Sequence, residues 1–189
     1  MRMAVCLGRG MSKPLEKSLF TPSQIHLPAV QAFDCGTDPW ELEVSDWIRG
    51  SGVLDDMQRS SGCEVWRYGN DELGFVGFGS LSEPSWSYPN KGDPRPNLIP
   101  MVGIQSKFRG MPPGPKQERY AWQIMDDLQS EAKRHIERAP VLVLYVHPDN
   151  QRAIHFYEEY GFEWYTRTYT DRATHVVYKT MALVVGSGT

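Results

Sequence analysis

Apolar residues recur every four positions along residues 115–137. Tyr120, Ile124, Leu128, Ala132 and Ile136 form one stripe, widened by Trp122 and Met125, and this spacing predicts a long amphipathic helix from about Pro115 to Glu137. Just beyond it, Val141 to Val146 is an unbroken apolar run, the mark of a strand buried on both faces. A second helix is expected over Asn150 to Tyr160, with Asp149 or Asn150 as its cap and Gly161 as a left-handed stop. Phe162 to Tyr169 and Thr174 to Val185 read as two closing strands. Earlier in the chain, Cys63 to Tyr68 and Leu73 to Leu81 flank Gly69-Asn70-Asp71, which predicts a hairpin. The glycines of its second strand predict close backbone approach or a bulge. Leu98 to Ile104 reads as one strand with Pro100 near its start. Asp38-Pro39-Trp40 opens a short amphipathic helix through Ile48, and Gln24 to Ala32 holds a helical turn or two.

Strands and helices alternating in this order predict an α/β fold, with helices flanking one mixed central β-sheet. Residues 1–22 show no periodicity and are expected to be a flexible or edge-lying segment ahead of a single domain over 23–189. A proline-rich stretch at 82–97, carrying Trp86 and Tyr88, reads as the main irregular loop.

Charge narrows the functions available. The chain carries 23 acidic and 20 basic residues, for a pI near 6.0, which disfavours a nucleic-acid partner. No apolar run is long enough for a membrane span. Three cysteines, Cys6, Cys35 and Cys63, show no metal-ligand spacing and read as free thiols of a reducing compartment.

Two segments carry candidate chemistry. The strand around Val102-Gly103-Ile104 runs through Arg109-Gly110-Met111 and Gly114 to Lys116 before the long helix. Such a turn aims backbone N–H groups and the positive end of a helix at one spot, a seat for phosphate groups. The second segment runs from Val146 to Phe162. Its Asn150, Ala153, Phe156, Tyr157, Gly161 and Phe162 resemble the second cofactor segment of the GNAT N-acetyltransferase superfamily. The first segment is similar to that superfamily's pyrophosphate loop, with Arg109 and Gly114 at its first and last places. Pro112 stands at the middle glycine. Proline has no N–H, so a weaker or shifted cofactor site is expected.

The resemblance implies that the mixed β-sheet is splayed. It implies a cytoplasmic enzyme that moves an acetyl group from acetyl-CoA to a primary amine, by direct attack in a ternary complex. It implies Tyr157 as the acid that protonates the leaving thiolate. It also implies a backbone N–H of Val102–Ile104 at the oxyanion, and Arg109, Gly110, Met111, Gly114, Lys116, Asn150, Ala153 and Phe156 at the cofactor. The acceptor would be a small-molecule or peptide amine, and the resemblance is compatible with a homodimer. Glu72, Glu83, Asp34 and Asp38 are candidates to deprotonate it, and Trp40, Trp86 and Tyr88 suggest an aromatic acceptor pocket. His147 and His155 read first as surface or capping groups. Ala32-Phe33-Asp34-Cys35-Gly36 resembles the opening of GNAT toxins that acetylate aminoacyl-tRNA, which would add a nucleic-acid partner. A non-catalytic acyl-CoA- or partner-binding relative is the remaining alternative.

Overall fold

The computed structural model describes residues 14–58, 62–84, 95–112, 115–135, 138–171 and 174–185. Along these run β1 (Glu16–Leu19), α1 (Pro28–Gln31), α2 (Pro39–Arg49), α3 (Ser51–Gln58), β2 (Glu64–Asn70), β3 (Gly74–Leu81), β4 (Asn97–Ile99) and β5 (Val102–Ile104). Then follow α4 (Tyr120–Ala132), β6 (Val141–Val146), α5 (Gln151–Tyr160), β7 (Glu163–Thr170) and β8 (Val177–Val184). The fold is mixed α/β. The expected single sheet is parted into two four-stranded halves, ordered β1-β2-β3-β5 and β4-β6-β8-β7. Strands β4 and β6 are parallel; the other pairs are antiparallel.

The parting has a local cause. Residues 97–104 form one extended run, but Pro100 has no N–H to give to a ladder. Before it, Asn97–Ile99 pairs with Leu142–Leu144 of β6. After it, Val102–Ile104 pairs with Gly77–Gly79 of β3. Ser80 holds the junction. Its buried hydroxyl donates to the Met101 carbonyl at 2.6 Å and accepts from the Met101 N–H at 3.0 Å. These two bonds satisfy a backbone unit that neither sheet can pair.

Core packing fixes the layers. Helix α4 lies on β3 where glycine removes the obstruction: a Cβ at Gly79 would meet Leu128 Cδ1 at 2.9 Å, and one at Gly77 would meet Ile124 Cδ1 at 2.9 Å. Ile124, Leu128, Leu142, Leu144, Ile154 and Met181 share one apolar cluster. Phe33, Ile48, Val53 and Phe78 share a second, formed with α1–α3. Helix α5 begins as the sequence predicts, with Asn150 Oδ1 accepting from the Ala153 N–H at 3.1 Å. It ends at Gly161 with φ of 109°, a left-handed turn that glycine adopts without steric cost.

Helix α4 departs from expectation. It starts at Tyr120 rather than near Pro115, because Lys116–Glu118 forms a separate 3-10 turn. The Tyr120 N–H bonds to the Met111 carbonyl, closing the loop across its own prolines. Residues 16–19, which have no readable period, form the edge strand of the first sheet. Cys6, Trp86, Tyr88, Pro113 and Gly114 lie outside the described residues.

Replacing Ser80 with Ala should lower unfolding free energy by about 1–3 kcal/mol, the cost of stranding the Met101 amide in the interior. Urea denaturation of Ser80→Ala against the parent checks this.

Candidate active site

Where the two half-sheets part, a cavity of about 510 Å³ opens. Strands β5 and β6, the loop at 35, and helices α2, α4 and α5 all contribute to its wall. Its floor is apolar, from Ile99, Met125, Leu144 and Val146.

The outer edge of β5 faces this cavity. The Gln105 N–H bonds to Val76 on β3, in the same register as the Phe78–Gly103 pair. N–H groups alternate sides along a strand, so those of Val102, Ile104 and Ser106 point away from β3. Two of these are taken. Ser106 N–H bonds to the Asp34 carbonyl, and Ile104 N–H faces the Cys35 sulfur. Among the described residues the Val102 N–H has no backbone partner outside the strand ladder, and the alternation turns it away from β3.

Tyr157 borders the same cavity from α5. Its ring packs edge-on against Phe156 and Phe162 at 5.4 and 5.6 Å. Burial, and then the nearby Cys35 thiol, raise its phenol above the usual value, so the hydroxyl keeps its proton at neutral pH. Burial likewise pushes the Cys35 thiol up, while Arg109 and the Ile104 N–H pull it down.

One carboxylate joins the walls. Glu41 of α2 is largely buried, and its Oε1 receives Arg109 at 2.8 Å and Arg152 at 3.2 Å. Its Oε2 accepts from the Asp38 N–H at 3.1 Å, completing the start of α2. Gly36 makes room for it. That residue has φ of 128°, and a Cβ there would fall 2.0 Å from Glu41 Oε2. At the first turn of α4, Arg119 borders the cavity with a buried Nε that has no hydrogen bond among the described residues. A helix start and a guanidinium with a free buried Nε suit an anionic group.

Comparison with known proteins places this arrangement. Residues 33–162 match the model of the Acetyltransferase (GNAT) family. The chain belongs to that family. Solved structures carry the same fold at low identity. One is Ard1 from Thermoplasma volcanium, at 20% identity and a TM-score of 0.61 over 93% of this chain and 100% of that one. Another is the ribosomal-protein-S18-alanine N-acetyltransferase from Escherichia coli, at 14% identity and 0.59 over 93% and 96%. A third is the spermidine/spermine N-acetyltransferase SpeG from Vibrio cholerae, at 13% and 0.57 over 91% and 93%. No curated protein matches the chain at a significant level. Among the described residues, no helix is long and apolar enough to cross a membrane, and no group of three His, Cys, Asp or Glu could hold a metal.

For this GNAT chain, Val102, Gly103, Ile104, Arg109, Gly110, Asn150, Ala153, Phe156 and Tyr157 all border the cavity. Met111 and Lys116 do not; Met111 is exposed, and Lys116 bonds Glu159 at 2.6 Å. That ammonium holds the Glu159 carboxyl below its usual range. Arg109, read as a phosphate contact, has its guanidinium turned to Glu41 and lies 3.8 Å from Cys35 Sγ. Asp34, Asp38, Glu72 and Glu83 stay off the cavity wall, so none is placed as the base. Sequence reasoning missed Glu41, Arg119 and Glu43. The Asp38-x-x-Glu41 spacing was the available signal for the first. Phe33, which carries the toxin likeness, is buried against Phe75 and Phe78 and serves the core.

Gly36→Ala should destabilise the fold by roughly 2 kcal/mol, since alanine resists this φ and its methyl displaces Glu41 from both arginines. Thermal denaturation measures the loss, and Gly62→Ala, at positive φ with open space around it, supplies the backbone share alone.

Proposed function

We propose that the protein transfers an acetyl group from acetyl-CoA to a primary amine by direct attack in a ternary complex. The observation that carries this reading is that Val102, whose N–H the strand alternation turns away from β3, and Tyr157, whose phenol stays protonated, border one cavity. In this reading the thioester carbonyl lies against β5. Val102 N–H donates to the oxygen that gains charge as the neutral amine attacks. When the carbon–sulfur bond breaks, Tyr157 gives its proton to the departing thiolate. Arg119 and the first turn of α4 receive the phosphates, a few residues later than the Arg109–Lys116 loop suggests. Asn150 fixes the start of α5 and so the direction in which Tyr157 points. Similar structures include enzymes named for acting on spermidine and on a ribosomal protein's alanine, both primary amines, which agrees with an amine acceptor here.

Tyr157→Phe should lower kcat by about 100-fold while acetyl-CoA affinity stays within about threefold. Thiol release measures the first and calorimetric titration the second; an unchanged kcat removes Tyr157 as the acid.

The pH profile carries its own sign. A phenol held above its usual value stays protonated on the alkaline side. kcat should therefore rise as the acceptor ammonium loses its proton, with no fall up to about pH 10, the midpoint at which an ordinary tyrosine ionises. Stopped-time assays from neutral to alkaline pH check this, and a fall near pH 9 would contradict it.

A further inference from the structure

One wall of the cavity carries groups that acyl transfer itself does not use. Trp40 stacks on His147 with ring centroids 5.2 Å apart, and His147 meets Tyr178 edge-on at 5.8 Å. Tyr178 leans on Tyr169 at 6.1 Å, and Tyr169 stacks on Tyr145 at 4.9 Å. These rings come from α2, β6, the turn after β6, and the β7–β8 pair, yet all border one space. Glu43 lies three residues after Trp40 and so on the same face of α2. Its carboxylate accepts the Tyr178 phenol at 2.9 and 3.2 Å.

Glu41 and Glu43 differ in a way that matters. Glu41 is answered by two guanidiniums. Among the described residues Glu43 has no cationic partner; its hydrogen bonds come from a neutral phenol. An unneutralised carboxylate set in a wall of aromatic faces attracts an ammonium twice over, through its charge and through the ring quadrupoles. Arg109 and Arg152 also border the cavity, but both are engaged by Glu41.

The chemistry of the reaction then says which ammonium. The nitrogen that attacks must be neutral, so it cannot be the cation that this wall holds. A carboxylate or phosphate at the far end of an acceptor would meet Glu43 as a like charge. We propose that the acceptor is a small aliphatic amine bearing a second nitrogen that stays protonated, gripped by Trp40, Tyr178 and Glu43 while the free amine reaches the thioester. This rests on the acyl-transfer reading above, but the wall is a binding site in its own right and is tested separately.

Three acceptors of matched length decide it: diaminobutane with its amines at the two ends, butylamine, and γ-aminobutyrate. They place an ammonium, a methyl and a carboxylate at the far end. With acetyl-CoA, kcat/KM should favour the diamine over butylamine by about tenfold or more, with γ-aminobutyrate slowest. Glu43→Gln should bring the diamine-to-butylamine ratio at least fivefold closer to one, and Trp40→Leu should do the same. Glu43 is exposed, so its variant keeps the fold, and unaltered acetyl-CoA binding verifies that. Calorimetric titration of the diamine into the protein without acetyl-CoA reads the wall alone. Equal rates for diamine and butylamine, a preference that survives Glu43→Gln, or no diamine binding overturns the inference and leaves acyl transfer standing. Diamine binding that Glu43→Gln abolishes, in a protein that fails to bind acetyl-CoA, supports the wall and sinks the acyl-transfer reading instead.

Discussion

A β-strand has two edges, and residues 97–104 give theirs to different sheets on either side of Pro100. Asn97–Ile99 joins β6 in parallel and Val102–Ile104 joins β3 in antiparallel. Once the run has changed partners, the two half-sheets must diverge, and the space between them cannot be closed by repacking side chains. Every other feature of the site is arranged around that gap. The loop at 34–36 covers part of the exposed edge of β5 by taking the N–H groups of Ile104 and Ser106. Helix α5 brings an aromatic face to it from one side, and α2 brings carboxylates from another. Ser80 is the small group on which the change of partner rests, because its hydroxyl bonds both the N–H and the carbonyl of Met101 at the junction.

The parts of this arrangement legible in the sequence are those whose signals are local. Asn150 and Gly161 bracket α5 as capping chemistry requires, and the hairpin and the buried β6 follow from turn residues and an apolar run. The parts that were not legible depend on partners far along the chain. A four-residue edge strand such as β1 shows no period, so its pairing with β2 decides its structure. The start of α4 moved to Tyr120 because the Met111 carbonyl, nine residues earlier, takes its N–H. Proline in the loop excluded neither a turn nor a helix and left the boundary to that bond. At the site, the residues on the Asn150–Tyr157 helix and on β5 were readable from the family pattern. Glu41, Glu43 and Tyr178 were not, since their roles come from contacts across 68 to 135 positions of sequence.

Acidic and basic side chains share the cavity wall. Arginine side chains reach it from the loop after β5, the start of α4 and the start of α5, and Glu41 balances two of them. Trp40, Tyr169, Tyr178 and Glu43 gather where α2 approaches the β7–β8 pair. A carboxylate already answered by two guanidiniums offers little to an incoming cation, whereas one held by a neutral phenol keeps its full charge.

The Val102 N–H belongs to the main chain, and this sets an asymmetry in how the protein can change over generations. A point substitution cannot delete an amide hydrogen, short of introducing proline, so the seat beside β5 is insulated from drift in the residues around it. The wall of Trp40, Glu43 and Tyr178 is made of side chains and is open to revision one codon at a time. A lineage could thus remodel that wall while inheriting the edge of β5 unaltered.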